Sequence, residues 1–188
     1  MSHLKAKIAI FIASLISFIV AMVIVYEKIA HLINPTVAPS CSINPLVSCT
    51  PVLASWQGSL LGVPNPIYGI VCFALLCIIS FFAIFMKLPK WVWLCTFIGV
   101  SLGFALVIWF VSQSLFVIGA ICIYCTAIWF MMIIAFWLTF SLAIQELSWT
   151  KLNVIVRYQA QIITVCIMGL MLTMFFAFPD KWIAVLGF

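Results

Sequence analysis

Five long apolar stretches run along the chain, separated by short segments that contain charged residues, proline and asparagine. A helix that crosses the hydrocarbon core of a bilayer needs about 20 apolar residues, and each stretch is long enough. One run, 91–144, would form a helix about 81 Å long at 1.5 Å per residue, so it must fold back. We place that turn at the polar and glycine interruption from Ser112 to Gly119. The pattern predicts membrane-spanning helices at residues 8–26, 66–86, 91–113, 121–144 and 158–178.

The composition restricts the class of protein further. The chain has 188 residues, of which 68% are hydrophobic and 6% charged, whereas soluble domains are about 45–50% apolar and about 25% charged. So few charges cannot cover a water-facing surface, which excludes a soluble globular domain, a nucleic-acid-binding protein and a disordered tail. The sequence therefore predicts an all-α integral membrane protein with a single membrane domain over residues 1–188.

The basic residues indicate the orientation of the helices, because cytoplasmic loops carry an excess of Lys and Arg. Five spans place the termini on opposite sides of the membrane. We therefore expect a cytoplasmic N-terminus and an external C-terminus, with a long loop, 27–65, and the start of the fourth span on the external face. In this orientation, six basic residues lie on the cytoplasmic side and two on the external side. The cytoplasmic ones are Lys5, Lys7, Lys87, Lys90, Lys151 and Arg157, and the external ones are Lys28 and Lys181.

The external loop contains five of the eight prolines of the chain. Proline at this density prevents a continuous helix, and a long loop in a compact protein is usually functional. Thr50 and Pro51 suit the N-cap and first turn of a short helix, and Gly58 suits its end. We predict this helix at residues 52–57, lying in the membrane interface. Asn65 is predicted to cap the second span.

The eight cysteines fall into two groups. Cys41 and Cys49 lie in the external loop, and Cys122 and Cys125 form a Cys-x-x-Cys at the external start of the fourth span. Residues three apart share a helix face, and a helix N-terminus stabilises a thiolate at Cys122. This pattern is typical of thiol–disulfide exchange. The other four lie within spans and are predicted to be small, buried and inert: Cys72, Cys77, Cys95 and Cys166.

Three other roles are open to the four external cysteines. A c-type haem site would need His after Cys125, where the chain has Thr126. A zinc site usually has two to four residues between paired ligands, whereas seven separate Cys41 from Cys49. Purely structural disulfides are the third alternative.

Four motifs in combination resemble the bacterial side of the vitamin K epoxide reductase family. They are a Cys pair with seven residues between (Cys41–Cys49), Ser55-Trp56, the segment Pro-Asn-Pro-Ile-Tyr-Gly at 64–69, and the late Cys-x-x-Cys at 122–125. The resemblance covers roughly residues 8–144. It implies a four-helix bundle around a quinone, with the short loop helix as a lid. The fifth span lies outside the resemblance.

The resemblance also implies a role for each external cysteine. Cys122 and Cys125 correspond to the active-site pair, with Cys125 nearest the quinone ring. Cys41 and Cys49 correspond to a shuttle pair, in which Cys49 exchanges with Cys122 and Cys41 faces the partner protein. No metal site is implied.

Four more residues are implied at the quinone site. Asn65 matches the Asn that hydrogen-bonds a quinone carbonyl, and Ser55 matches the loop Ser or Thr that helps to fix the lid. Trp56 belongs to the same motif, although an interfacial belt residue is its alternative role. Vertebrate members carry Tyr where this chain has Trp129, whose indole N–H is a donor only. Trp129 therefore either donates to a quinone carbonyl or packs in the wall.

The expected protein is a quinone-dependent thiol oxidoreductase of the bacterial inner membrane. It is expected to reoxidise a periplasmic dithiol oxidase of the Dsb or thioredoxin-like type and so to support disulfide bond formation. That partner is expected to be a separate protein, since only residues 180–188 follow the fifth span. The quinone is expected to be ubiquinone or menaquinone. A carrier of soft metal ions, a vitamin K epoxide reductase and a non-catalytic scaffold are the alternatives.

Overall fold

The computed structural model describes residues 3–36, 39–43, 47–149 and 152–178. Five of its helices are long and apolar enough to cross a membrane. This confirms an all-α membrane protein. In chain order the helices are α1 (His3–Ile33), α2 (Thr50–Ala54), a 3₁₀ helix (Trp56–Gly62), α3 (Asn65–Phe85), α4 (Lys90–Gln113), a π-helical turn (Ser114–Ile118), α5 (Ile123–Glu146) and α6 (Asn153–Phe176).

The ends of α3, α4 and α5 lie within two residues of the predicted ends. Helix α1 is longer than the predicted 8–26, because it has 31 residues and continues to Ile33. At 1.5 Å per residue it is about 46 Å long, which exceeds a hydrocarbon core of about 30 Å. Charged residues such as Glu27 are therefore compatible with the helix where it leaves the hydrocarbon. The external loop consequently begins after Ile33. Helix α6 starts at Asn153, five residues before the predicted start of the fifth span.

Helix α5 lies at the centre of the bundle, where α1, α4 and α6 all pack against it and α3 packs against α1. Helix α1 buries small side chains, including Ala13, Ser17 and Ala21, on its inner face. Small residues let helix backbones approach closely in a membrane. Large side chains such as Leu102 and Leu172 point outward and remain exposed on α4 and α6. These faces are the ones suited to lipid.

The turn between α4 and α5 is built from the π-helical turn and Gly119. Gly119 has a φ of 72°, in the left-handed region that glycine adopts readily. The buried Ser114 hydroxyl donates to the Ala120 carbonyl at 2.7 Å, and its own carbonyl accepts from the Gly119 N–H at 3.0 Å. The chain thus reverses within the predicted interval, from Ser112 to Gly119, with its buried backbone groups bonded.

The C-terminal end of α6 reaches the loop end of the bundle. Phe178 is buried in a cluster with Leu115 and Ile121, and Met174 and Val47 pack against that cluster. The fifth span therefore contributes directly to the end of the bundle that contains the loop. The residues that follow the predicted fifth span, from 179 onward, lie outside the described residues.

Candidate active site

The short loop helix differs from its prediction at both ends. Helix α2 spans Thr50–Ala54, with Cys49 rather than Thr50 at its N-cap position and Pro51 in its first turn. The predicted interval 52–57 is interrupted because Ser55 takes an extended conformation, with φ −70° and ψ 150°. The lid is therefore a pair of short helices in series, α2 and the 3₁₀ helix.

Ser55 joins these two short helices. Its hydroxyl donates to the Val52 carbonyl at 2.8 Å and accepts from the Gly58 N–H at 3.3 Å. These bonds connect α2 to the 3₁₀ helix, and the role at a quinone site that the resemblance implies for Ser55 stays a prediction. Gly58 lies inside the 3₁₀ helix instead of ending α2, and a Cβ at this position would come within 2.6 Å of the Val52 carbonyl oxygen. Glycine is thus needed at position 58, because a residue without a Cβ lets the backbone of the 3₁₀ helix approach the Val52 carbonyl.

Asn65 is the first residue of α3, and Pro64 occupies the N-cap position where Asn65 was predicted. The Asn65 side chain is directed back to the lid. Its Oδ1 accepts from the Leu60 N–H at 2.9 Å, and its Nδ2 donates to the Gln57 carbonyl at 2.6 Å. The described contacts of Asn65 therefore fix the 3₁₀ helix. A contact with a quinone stays a prediction.

The loop cysteines lie directly against the Cys-x-x-Cys. Cys41 and Cys49 form a disulfide, and Cys49 Sγ lies 2.9 Å from Cys122 Sγ. All three residues are buried, with at most 2% of their surface exposed. A parallel bridge between Val47 and Ile121 aligns the two segments, and the Ser48 N–H donates to the Ile121 carbonyl at 3.0 Å. Cys49 is thereby held against Cys122 by the backbone.

Cys122 occupies the N-cap position of α5, and its sulfur accepts from the Cys125 N–H at 3.5 Å. The pKa of the Cys122 thiol lies below its ordinary value. The main cause is a hydrogen bond from the Cys125 thiol, and the backbone N–H groups of Cys125 and Tyr124 add to it, whereas burial opposes the change. A lowered pKa favours the thiolate, which is the form that attacks a disulfide.

A hydrogen-bond network covers the outer side of the loop disulfide. Ser40 donates to the Glu27 carboxylate through its hydroxyl and, at 3.2 Å, through its backbone N–H. The Ser40 hydroxyl also lies 3.0 Å from the Tyr124 hydroxyl. We call Glu27, Ser40 and Tyr124 the latch. Cys41 is only 2% exposed, so its sulfur is not accessible from the surface in this conformation.

Sequence reasoning did not find the latch. It assigned no role to Glu27, Ser40 or Tyr124. One signal was present, since Tyr124 lies inside the Cys-x-x-Cys and Ser40 directly precedes Cys41.

The two predicted tryptophans lie in different surroundings. Trp129 is 2% exposed, which fits packing in the wall of the bundle. Trp56 is 67% exposed and its ring is 6.2 Å from that of Trp109, which fits an interfacial residue. The adjacent Gln57 is buried and its side-chain amide donates to Gln113 at 3.5 Å. This contact ties the lid to the end of α4.

The remaining cysteines are less buried than predicted. Cys72 and Cys95 are exposed on the outer surface of the bundle, and Cys77 and Cys166 are partly exposed. The prediction of four buried thiols was therefore wrong for Cys72 and Cys95. Their helices present wide lipid-facing surfaces, on which a small thiol is as compatible as any apolar side chain.

Two shallow recesses can be described among the residues that the structure describes. One, of about 180 Å³, lies beside the site and is lined by Val47, Ile121, Ile123, Thr126 and Met174. The other, of about 210 Å³, lies between α1 and α3 around Phe11 and Phe81. Neither is lined by Asn65 or Cys125, so the quinone position stays a prediction.

Two cysteine pairs in sulfur contact at one end of an apolar helix bundle define the class of protein as a membrane thiol oxidoreductase. A family model described as the vitamin K epoxide reductase family matches residues 8–140. The chain belongs to this family, whose enzymes act on quinones or vitamin K. In a comparison with curated proteins, none matches the chain. Helix α6 lies beyond the matched residues.

Proposed function

We propose that this protein is a quinone-dependent thiol oxidase of the bacterial inner membrane. It takes two electrons from the dithiol of a separate, external thioredoxin-like protein of the Dsb type and passes them to ubiquinone or menaquinone. The oxidised partner then donates its disulfide to folding proteins. The observation that carries the proposal is the distance of 2.9 Å between Cys49 Sγ and Cys122 Sγ.

Exchange between two cysteine pairs requires a thiolate in contact with a disulfide sulfur. Cys49 meets this requirement, because its sulfur is bonded to Cys41 and in contact with Cys122. Cys122 and Cys125 are thiols while the loop pair is a disulfide. This arrangement corresponds to the step at which an electron pair has reached the inner cysteines and has not yet left the protein.

The cycle has two exchange reactions. The partner thiolate attacks the Cys41 sulfur, and its second thiol then releases the partner as a disulfide, which leaves Cys41 and Cys49 as two thiols. Cys49 attacks Cys122 of an oxidised Cys122–Cys125 pair, and Cys125 leaves as a thiolate. Cys41 then attacks Cys49, which restores the loop disulfide and frees the Cys122 thiol. Each exchange moves two electrons through a mixed disulfide.

The surroundings of Cys125 fit a neutral, lipid-soluble oxidant. Cys125 is partly exposed and packs against the same buried apolar cluster as Val20, Phe110 and Ile128. A quinone supplies the capacity to accept two electrons and two protons, which Cys122 and Cys125 give up as they form a disulfide. The Asn65 amide carries two N–H donors, and one of them is used by Gln57. The other suits a quinone carbonyl.

Two alternatives are less well supported. A carrier of soft metal ions needs ligands along a path through the membrane, whereas Cys72 and Cys95 lie on the outer surface of the bundle. A vitamin K epoxide reductase would share the cysteine relay. The vertebrate Tyr position is held by the buried Trp129, which favours a respiratory quinone.

Turnover by purified protein tests the proposal. The assay combines the protein in nanodiscs with a reduced thioredoxin-like dithiol oxidase and either ubiquinone or menaquinone, and it records quinone reduction by absorbance. Cys125→Ser is expected to lower the rate at least 100-fold, because no inner disulfide can form. Cys72→Ser is the matched control and should stay within twofold of the wild type. Full turnover by Cys125→Ser contradicts the proposal.

A trapping experiment tests the partner and the sidedness. Cys49→Ser leaves Cys41 without a resolving thiol. When the oxidised partner is supplied, the Cys41 thiolate should attack the partner's disulfide, one partner cysteine should leave as a thiolate, and the mixed disulfide of Cys41 with the partner should accumulate. In intact cells, a membrane-impermeant maleimide should label reduced loop cysteines from the outside. Labelling only after the inner face is opened contradicts the proposed orientation.

A further inference from the structure

Three sulfurs converge at one buried point in the site. The Sγ atoms of Cys41, Cys49 and Cys122 all lie within 4.8 Å of one another. When the loop pair is reduced, three thiols occupy this position. The sequence spacing argued against Cys41 and Cys49 as paired metal ligands, but the fold brings their sulfurs together regardless of the seven residues between them.

A tetrahedral ion can bind the three sulfurs only after the loop disulfide is reduced. Zinc binds thiolate sulfur at about 2.3 Å, so two sulfurs on one ion are about 3.8 Å apart. In the oxidised loop, Cys49 Sγ is bonded to Cys41 Sγ and lies 2.9 Å from Cys122 Sγ, so the sulfurs are closer together than an ion requires. Reduction breaks the bond between Cys41 and Cys49 and leaves three thiols that can separate to the distance that zinc needs.

The donor set and its surroundings select soft ions. The grouped donors are cysteine sulfurs alone, and thiolates prefer zinc, cadmium or cuprous ions to calcium or magnesium. Buried apolar residues, including Ile24, Val52 and Leu53, pack around the cluster. This packing limits competition by water for the ion.

We propose that the reduced site binds one Zn²⁺ through Cys41, Cys49 and Cys122, and that the bound ion blocks turnover until it is removed. A dithiol first reduces the Cys41–Cys49 disulfide, giving two electrons and two protons to the loop pair and becoming a disulfide itself. Zn²⁺ then replaces the three thiol protons, which are released, and no electron passes to the ion. Water takes the fourth coordination position.

Inhibition follows because ligated sulfurs cannot exchange. Cys49 cannot attack Cys122 while both bind the same ion, and Cys41 cannot re-form the loop disulfide. The inhibition rests on the proposed thiol oxidase function, whereas the binding of zinc does not.

Binding is measured on full-length protein in nanodiscs, reduced with a phosphine and kept anaerobic. Zn²⁺ is titrated against a chromophoric chelator, and Co²⁺ is used in parallel because its thiolate charge-transfer band reports the number of sulfur ligands. The reduced wild type is expected to bind one ion at the site, with three thiolates. The oxidised wild type, Cys122→Ser and Cys49→Ser should each bind at least tenfold more weakly.

Cys125→Ser is the matched control, because it alters the same Cys-x-x-Cys but lies outside the three-sulfur cluster. It should bind Zn²⁺ within threefold of the wild type. Equal binding by the reduced wild type and by both Cys122→Ser and Cys49→Ser overturns the proposal, as does loss of binding in Cys125→Ser alone. The exposed and partly exposed cysteines elsewhere are common to all variants and cancel in the comparison.

A separate turnover assay distinguishes this proposal from the proposed function. Zn²⁺ added after reduction should stop quinone reduction, and a chelator should restore it. If quinone is reduced but zinc neither binds nor inhibits, the metal site fails and the thiol oxidase stands. If zinc binds and no quinone is reduced, the thiol oxidase proposal fails and the metal site stands.

Discussion

The hydroxyl of Ser40 lies 3.0 Å from the hydroxyl of Tyr124, which connects the residue before Cys41 to the middle of the Cys-x-x-Cys. Glu27 completes the latch by accepting two hydrogen bonds from Ser40. Helix α1, the loop and α5 therefore meet over the buried loop disulfide. We expect the rate at which a dithiol reaches the Cys41 sulfur to depend on how often these contacts open.

Glu27→Ala is expected to speed reduction of the loop disulfide by a soluble dithiol. A hydrogen bond to a charged group contributes about 1.5–3 kcal/mol when well formed, and an exposed one contributes about 1 kcal/mol or less. A loss of about 1 kcal/mol gives about a fivefold increase in rate, which quenched-flow alkylation can follow. Glu146→Gln is the control, because Glu146 ends α5, at the opposite end of that helix from Cys122 and Cys125. An unchanged rate in Glu27→Ala shows that the latch does not cover Cys41.

Gly58→Ala should destabilise the lid. The new Cβ would meet the Val52 carbonyl oxygen at 2.6 Å, and forced repacking of this kind costs about 1–3 kcal/mol. The thermal unfolding midpoint should fall, and thiol turnover should slow. Gly99→Ala is a matched control, because nothing lies within 4 Å of its Cβ position in α4. It should stabilise its helix by up to about 1 kcal/mol. A Gly58→Ala protein as stable as Gly99→Ala contradicts the close approach.

Replacement of Asn65 separates its structural contacts from the predicted quinone contact. Asn65→Ala removes the hydrogen bonds with Leu60 and Gln57, so the free energy of unfolding should fall by about 2 kcal/mol, at about 1 kcal/mol each. Asn65→Asp keeps the acceptor for the Leu60 N–H but loses the donor.

The two readouts for Asn65 are measured apart. Unfolding is recorded without quinone, and KM for quinone is recorded by turnover, where a contact predicts a rise for both variants. Asn153→Ala, at the first residue of α6, is the control. If KM stays unchanged while stability falls, Asn65 acts only on the lid.

The lowered pKa of Cys122 predicts a shifted pH profile for its reactivity. Half-maximal alkylation of Cys122 should therefore occur at a lower pH than for a cysteine with an ordinary pKa. Cys125→Ala removes the main cause of the lowered pKa and should move the midpoint upward.

The sign for stability follows from linkage. A group whose pKa is lowered by folding contributes stability above its unfolded pKa, and loses that contribution as the pH falls through the folded pKa. As the pH falls through the folded pKa of Cys122, the wild type should therefore lose stability relative to Cys122→Ser. Equal alkylation midpoints in the wild type and Cys125→Ala would contradict the Cys125 hydrogen bond as the main cause of the lowered pKa of Cys122.

Phe178→Ala tests the contribution of α6 to the site. Phe178 packs against Ile121, whose carbonyl accepts from Ser48 beside Cys49. Loss of a buried Phe costs about 3–5 kcal/mol in a well-packed core, and exchange between the cysteine pairs should slow by tenfold or more. Phe176→Ala removes the same side chain where it is 71% exposed and should leave exchange unchanged. Similar rates in the two variants exclude such a contribution.

The sequence was sufficient for the helices, because the length of an apolar run is set directly by bilayer thickness. It was less informative where helices leave the membrane. Charges at Glu27 and Lys28 ended the predicted first span, although an α-helix continues through them in water. In the loop, capping rules assigned Asn65 to its own helix. Its side chain instead bonds residues five and eight positions earlier, a choice that depends on tertiary packing.

The four external cysteines could be selected from the sequence, because the topology places them at one end of the bundle. Their contact could not be derived from spacing, since the Val47–Ile121 bridge and the burial of Cys41 arise from packing between distant segments. The structure buries Cys41, and contact of a partner with its sulfur stays a prediction.

The packing of Phe178 against Ile121 also bears on the smallest portion of the chain that can work. A protein cut after Glu146 would keep all four redox cysteines and the whole of the family match, which ends at residue 140. It would lose the outer cover of the Val47–Ile121 bridge and open that pairing to lipid. The four redox cysteines therefore lie in the matched part of the chain, while a fifth helix packs against the bridge that aligns them. Exchange of α6 between relatives would test how far this packing sets the rate of exchange, without altering any of the four redox cysteines.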